Sequence, residues 1–244
     1  MAVRLDGQGD YLATEFDKNL TGKNITAEMW ILPDKPANGT LFSQGNINTS
    51  MELSLTDDNH LEVTMGSKVI ESDHPVDYRQ GEWAHVALVY NAATSMVSAF
   101  YNFTEVIHNV TVDNYDGVGH FEFGRSISKQ GNFFAGKMHE ARIWTEALPA
   151  TRLQVNSLVR LSGAESNLLA YYPMTEGKGN VVFDKAHGSN ALLTGNWSTP
   201  PGKAIAFNGD GYVKMSTATA PVTQDMDYTL ELWFKAAADQ TDAT

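Results

Sequence analysis

The stretch W-A-H-V-A-L-V-Y, residues 83–90, is the strongest strand signal in the chain. It is rich in β-branched and aromatic residues, which favour an extended backbone. Asn91-Ala92-Ala93-Thr94 follows as a turn, and Met96–Tyr101 then returns as a second strand. The two strands predict an antiparallel β-hairpin.

Strand-like segments continue on both sides of this hairpin, with alternation of apolar and polar residues as the dominant pattern. The clearest of them are Ile25–Leu32, Thr40–Ser43, Met51–Leu55, Leu61–Met65, His120–Phe123 and Gly136–Trp144. Only Pro149–Leu161 has a helical pattern, and it is short. Many short strands joined by turns predict an all-β sandwich or barrel with one short helix.

The composition restricts the partners that the protein can have. The 244 residues carry a formal net charge of −12, which repels phosphate backbones and argues against nucleic acid as a partner. There is no cysteine, so disulfides and thiolate metal sites are excluded. No apolar run approaches the roughly 20 residues of a membrane helix, so membrane insertion is not expected.

Two blocks of sequence recur at almost the same separation. Ala2–Gly7 resembles Ala204–Gly209, and Thr26–Trp30 resembles Thr229–Trp233, which gives offsets of 202 and 203 residues. Such a repeat predicts that residues 204–244 are the truncated start of a second copy of the first domain. Neighbouring repeat domains in a longer parent chain are therefore expected partners.

The order of several motifs identifies the chain as similar to a known family. Gly81–Ala87 resembles a W-x-H-V-A signature, and Phe134–Trp144 resembles a closing strand usually written G-x-I-D-E-V-R-I-W. Val3–Leu12 and Phe121–Gly124 resemble other strands of the same set. Together they resemble laminin-G-like domains of the concanavalin A-like lectin/glucanase superfamily in tandem-repeat bacterial surface and secreted proteins.

The resemblance implies a two-sheet antiparallel jelly roll over residues 1–160. Residues 161–203 are then interpreted as a linker, because Leu169–Gly177 resembles the segment that opens the next repeat in such proteins. It further implies a secreted or cell-surface location and a non-catalytic module for adhesion or carbohydrate binding, with a glycan or a cell-surface protein as partner. A spacer repeat in a surface array, or an accessory domain of a secreted glycoside hydrolase, stays open as the alternative.

Catalysis is not expected from the residues themselves. Related glucanases carry two carboxylates about 5 Å apart on one strand in an E-x-D-x-x-E pattern, which this sequence lacks. None of the seven histidines stands in a recognisable setting with a Ser nucleophile. We expect His85 to form a structural hydrogen bond.

Calcium is the one cofactor that the sequence suggests. In the family a structural calcium joins the opening turn to an aspartate of the closing strand, and Asp6, Asp10 and Glu140 are the possible ligands here, although His139 takes the place of that aspartate. Asp113 and Asp116, in a second acidic loop, are alternative ligands. Both segments also suit plain turns.

Sugar binding needs aromatic faces beside planar polar groups. Tyr115 and Asn114 lie together in the loop between residues 112 and 119, and they are the predicted ligand-binding pair. Trp197 is a further candidate, either as an exposed platform or as a residue that packs the second copy onto the first.

Overall fold

A computed structural model describes residues 2–15, 17–34, 38–79, 81–112 and 115–198. In this part of the chain, two antiparallel sheets face each other across one core, and a single helix lies outside them. The predicted all-β sandwich with one short helix is confirmed. Within these residues, no helix is long and apolar enough to cross a membrane.

Sheet A has eight strands. Their bounds in chain order are β1 (Ala2–Asp6), β4 (Ile25–Pro33), β9 (Ala84–Asn91), β10 (Met96–Tyr101), β11 (Thr104–Thr111), β13 (Ala135–Trp144), β14 (Leu168–Tyr172) and β17 (Asn196–Ser198). The order across the sheet is β11-β10-β9-β4-β13-β1-β17. Strand β14 continues the line of β1 along the same edge of β13.

Sheet B has nine strands. Their bounds are β2 (Leu12–Thr14), β3 (Lys18–Asn19), β5 (Gly39–Gly45), β6 (Met51–Leu55), β7 (Leu61–Met65), β8 (Lys68–Glu71), β12 (Val118–Phe123), β15 (Val181–Val182) and β16 (Ala191–Leu193). The order is β15-β16-β2-β12-β5-β6-β7-β8, and β3 also pairs with β12.

The main core lies between the sheets and is built from alternate residues of each strand. In β4, for example, Ile25, Ala27, Met29 and Ile31 point into it and are fully buried. A second, smaller apolar cluster lies on the outer face of sheet A. There, helix α1 (Ala150–Ser157) places Leu153 beside Trp144 and Tyr171.

The predicted domain boundary at residue 160 is wrong. Strands β14 and β17 complete sheet A, and β15 and β16 complete sheet B, so residues 168–198 of the predicted linker belong to the sandwich. The physical reason is the burial of both faces of β14: Tyr172 packs in the main core and Tyr171 in the second cluster. The predicted second copy, residues 204–244, lies outside the described residues.

Candidate functional site

The outer face of sheet B is polar because the residues between its core positions are polar. Strand β12 shows the pattern: Phe121 and Phe123 point into the core, whereas His120 and Glu122 point outward. The cross-strand register carries this polar face through Ser43 of β5, Glu52 of β6 and Thr64 of β7. These polar side chains are themselves buried, so they can bind the segment of chain that covers this face.

The loop between β12 and β13, residues 124–134, lies across this polar face. Glu52 of β6 accepts hydrogen bonds from the Ser126 hydroxyl at 2.7 Å and from the Ser128 backbone N–H at 2.8 Å. Further along, Lys129 is 3.6 Å from the Glu62 carboxylate. Because several strands hold the loop, its side chains have fixed positions on the face.

A third carboxylate, Glu122, organises the other end of the loop. It is almost fully buried, and it accepts a hydrogen bond from Arg125 Nε at 2.6 Å and lies 2.9 Å from His120 Nε2. Burial alone would raise the pKa of Glu122, but the hydrogen bonds from His120 and Arg125 outweigh it and hold that pKa below its usual value. The same hydrogen bond raises the pKa of His120, which also faces Asp17 at 3.6 Å.

Aromatic rings border this charged cluster. The guanidinium of Arg125 lies 4.0 Å from the centroid of the Tyr11 ring, and the Phe133 ring is 6.3 Å from Tyr11. Tyr11, Phe133, Arg125 and His120 are all half-buried, so each one presents part of its surface to solvent. We call these four residues, with Asp17, the sheet B strip. It combines apolar ring faces with hydrogen-bonding groups, the combination that sugar rings require.

The outer face of sheet A has a different chemistry, centred on a buried acid. Glu28 has no exposed surface; it accepts a hydrogen bond from the Trp144 indole N–H at 2.8 Å and lies 3.0 Å from His85 Nε2. The Arg142 guanidinium is 3.8 Å away and also donates to the Asn156 carbonyl at the end of α1. His85 therefore has the structural hydrogen bond that we expected, and the network ties the helix to the sheet.

A row of rings continues from this network across three strands. Trp30 lies between His85 and His139, and its centroid is 5.4 Å from the first and 6.4 Å from the second. Trp83 packs edge-on against His139 at 4.4 Å. Because these rings contact one another, they form a packed row on the outer face of sheet A, and burial lowers the pKa of His139 to about 4.

The low pKa of His139 predicts loss of stability in mild acid. An unfolded histidine titrates near 6.5, so between that pH and about 4 the native state binds fewer protons, and stability falls as the pH falls through this window. The full shift corresponds to about 3 kcal/mol, and partial exposure reduces our expectation to about 1–2 kcal/mol. Urea unfolding at pH 7.5 and pH 5 measures it. His139→Phe keeps the ring contacts and should show a smaller loss; an equal loss in both proteins would contradict the assignment.

Among the predicted ligand residues, Tyr115 lies inside the protein. It is only 7% exposed, and its ring packs edge-on against Tyr90 at 5.7 Å. The prediction of an exposed stacking face at Tyr115 is therefore wrong, because the loop turns this side chain into the end of the main core. Its predicted neighbour Asn114 lies outside the described residues.

Trp197 packs rather than forming a platform. It stands opposite Val3 in the pairing of β17 with β1, contacts the main core, and donates its indole N–H to the Gly179 carbonyl at 2.8 Å. Trp197 therefore packs within the sandwich itself, and the second copy that it was predicted to contact lies outside the described residues.

The calcium ligands predicted around the opening turn do not converge. Asp6 accepts backbone N–H bonds from Gln8 at 2.8 Å and Gly9 at 3.1 Å, which is the chemistry of a turn. Asp6 pairs with Ala135, five residues before Glu140 on β13, so the two acids stand about 16 Å apart at about 3.3 Å per residue. Glu140 instead accepts hydrogen bonds from Arg142 and Tyr171.

The remaining predicted calcium ligands are Asp10, Asp113 and Asp116. Burial and the nearby charge of Asp6 raise the pKa of Asp10. Asp116 is exposed and accepts a hydrogen bond from the Val118 N–H, while Asp113 lies outside the described residues. Among the residues that the structure describes, no group of three or more acidic or histidine side chains could hold a metal ion. Calcium at the Asp113–Asp116 loop stays a prediction.

The sheet B strip was not predicted from the sequence. The alternation in H-F-E-F, residues 120–123, does place His120 and Glu122 on one outward face. This alternation does not predict the contact between Arg125 and Tyr11, because the two residues meet only when the loop folds over the sheet.

Comparisons with known proteins agree with this architecture. A laminin G family model, described as the concanavalin A-like lectin/glucanases superfamily, matches residues 6–154. None of the curated protein sequences is significantly similar to the chain.

Several solved structures share the fold at low sequence identity. A Bacteroides ovatus protein, described as a candidate carbohydrate binding protein, superposes with a TM-score of 0.62 at 24% identity over 80% of this chain and 59% of its own length. A heptameric pentraxin from Limulus polyphemus superposes with a TM-score of 0.53 at 16% identity, over 80% of this chain and 94% of its own length. A sialidase module from Ruminococcus gnavus, bound to α2,3-sialyllactose, superposes with a TM-score of 0.51 at 14% identity, over 64% of this chain and 95% of its own length.

Proposed function

Because this chain belongs to the concanavalin A-like lectin/glucanases superfamily, we propose that its sandwich is a non-catalytic carbohydrate-binding module that holds a glycan against the sheet B strip. The family supplies the fold, and a fold alone does not define a function. The proposal therefore depends on the side chains of the strip.

The observation that carries it is the placement of Tyr11 and Phe133 beside the Arg125 guanidinium and the His120 imidazole. Ring faces accept the C–H surface of a sugar, while the charged groups bind its hydroxyls. Glu122 fixes Arg125 and His120 before any ligand arrives, which lowers the entropic cost of binding. Two of the solved structures with the same fold carry sugar binding in their descriptions, which supports this choice of ligand.

We also propose that the module does not catalyse a reaction, because neighbouring groups already bind the carboxylates of this face. Glu52 accepts hydrogen bonds from the Ser126 hydroxyl and the Ser128 backbone N–H, and Glu122 is held between Arg125 and His120. A general acid or a nucleophile must instead be free to reach the glycosidic bond. We further propose that the module acts in a secreted or cell-surface protein that carries other domains, where glycans or glycosylated surface proteins are accessible.

The test is binding of the whole 244-residue chain to a glycan array, followed by calorimetry with the strongest oligosaccharide. We expect Tyr11→Ala and Phe133→Ala each to weaken binding about tenfold, or by about 1.4 kcal/mol, through loss of a ring contact. Val69→Ala is the matched control, because Val69 is 55% exposed on the same face but lies on the distant strand β8.

The outcomes separate the proposed function from its alternatives. Binding that Tyr11→Ala leaves unchanged would place the sugar elsewhere on the domain. A folded protein that binds no glycan on the array would contradict the proposal and favour a spacer repeat. An accessory domain of a glycoside hydrolase would bind the substrate of that enzyme.

A further inference from the structure

A cleft on the outer face of sheet A is not used by the proposed function. It lies between strands β9–β11 and the segment that leads into α1, and its volume is about 300 Å³. This volume is at the lower end of the usual range for ligand pockets, which suits a small group. Val89, Phe100 and Leu148 form its apolar floor, and Ser98, Glu105 and Asn109 supply polar groups.

Irregular pairing of β10 with β11 creates the polar side of the cleft. The register between these strands shifts on both sides of Ala99, and Asn109 has a positive φ of 46°. Bulges of this kind re-aim side chains and are common beside binding sites. Here the Asn109 backbone N–H bonds to the Ser98 hydroxyl at 3.1 Å, and that hydroxyl donates to Glu105 at 2.7 Å. The carboxylate of Glu105 is therefore held in one orientation at the cleft.

The negative charge of the cleft favours a cationic ligand. Its lining residues include one carboxylate, Glu105, and no Lys or Arg. Among the described residues, the basic group nearest to this carboxylate is His108, whose Nδ1 lies 3.8 Å from Glu105 Oε2 and whose side chain is 61% exposed. The net charge of −12 adds a field that attracts cations and repels anions.

We propose that this cleft binds an alkylammonium group, with the ammonium on Glu105 and the methylene chain on the floor of Val89, Phe100 and Leu148. A lysine side chain has this form: an apolar stem that ends in three N–H donors. Glu105 accepts one of these donors, and the polar residues Asn91 and Asn109 also line the cleft. The lysine of another protein and a free aliphatic amine share this chemistry.

The experiment is an NMR titration of the whole chain labelled with ¹⁵N. The probes are Nα-acetyl-lysine amide, cadaverine and Nα-acetyl-norleucine amide. We expect saturable shifts of the Ser98, Asn109 and Ala150 amides with both amines, and no saturation with the norleucine compound, which lacks the charge. Tighter binding of the lysine amide indicates a protein lysine as the natural ligand, and tighter binding of cadaverine indicates a free amine.

The variants test the role of the carboxylate. Glu105→Gln should weaken amine binding at least tenfold, because a charge-assisted hydrogen bond is lost. Glu105→Asp keeps the charge but places it farther from the ammonium, because the side chain is one methylene shorter. This variant should give an intermediate affinity. Glu71→Gln, at an exposed acid of β8, should leave binding unchanged. Equal binding by the norleucine compound, no saturable shift, or an unchanged affinity in Glu105→Gln would overturn the proposal. Glycan binding at the sheet B strip should be the same in all three variants, so the two proposals fail independently.

Discussion

Replacement of Glu28 by alanine is expected to lower the free energy of unfolding by about 3–5 kcal/mol. The carboxylate is fully buried and satisfies the Trp144 indole N–H, while His85 and Arg142 face it at 3.0 and 3.8 Å. Removal of one member of such a network leaves the others buried without their partner, and this desolvation accounts for most of the loss. The variant should also loosen α1, because Arg142 connects the network to the helix.

Chemical denaturation with intrinsic tryptophan fluorescence measures the effect, since Trp144 is part of the network. Glu28→Gln is informative beside the alanine variant, because an amide can still accept from Trp144 but removes the charge that faces Arg142. Glu71→Ala is the matched control, at an exposed acid on the edge of sheet B, and should change stability by less than about 0.5 kcal/mol. A loss below about 1 kcal/mol in Glu28→Ala would show that water can replace the network.

A loss of similar size, about 3–5 kcal/mol, is expected for Tyr172→Ala. The side chain is fully buried between the sheets, its ring packs edge-on against Phe123 at 5.6 Å, and its hydroxyl donates to the Ser189 carbonyl at 2.6 Å. Truncation would leave a cavity in the main core and an unpaired carbonyl.

This substitution also tests where the domain ends. Phe183 is the matched control, because it lies in the same segment but is 53% exposed, and Phe183→Ala should change stability by less than about 0.5 kcal/mol. The midpoints of urea unfolding for Tyr172→Ala and Phe183→Ala, each compared with that of the unmodified protein, measure the two effects. If residues 161–203 were a linker, as their sequence suggests, both substitutions would be nearly neutral, and the architecture described here would be wrong.

The fold was predictable because it depends on local pattern. In β4 and β12 the apolar residues alternate with Glu28, Trp30, His120 and Glu122, and that alternation alone defines the two faces of a strand. Strand β11 was missed, since its residues are mostly exposed and its pairing is broken by bulges. Strands β14 to β17 were assigned to a linker because Leu169–Gly177 resembles the segment that opens a next repeat, and because β16 and β17 find their partners β2 and β1 far away in sequence.

The sites were less predictable for a related reason. Tyr115 stands among loop residues, and only the tertiary structure shows that it turns inward against Tyr90. Arg125 comes after a strand as an ordinary surface residue, and its position over Tyr11 depends on the path of the loop across sheet B. A binding surface built from loops and distant strands has no period that a sequence pattern can reveal.

The late position of strands β14 to β17 also has a consequence during protein synthesis. Strand β1 pairs with β17, and the two are separated by about 190 residues of chain. At a translation rate of about 5–20 residues per second, roughly 10–40 s pass between their exits from the ribosome. Until then, the nascent sandwich has open edges on β1 and β2, to which chaperones or other nascent chains can bind. Closure of both sheets by this last segment makes completion of the fold a late event, and the rate of elongation before residue 198 should affect the yield of folded protein.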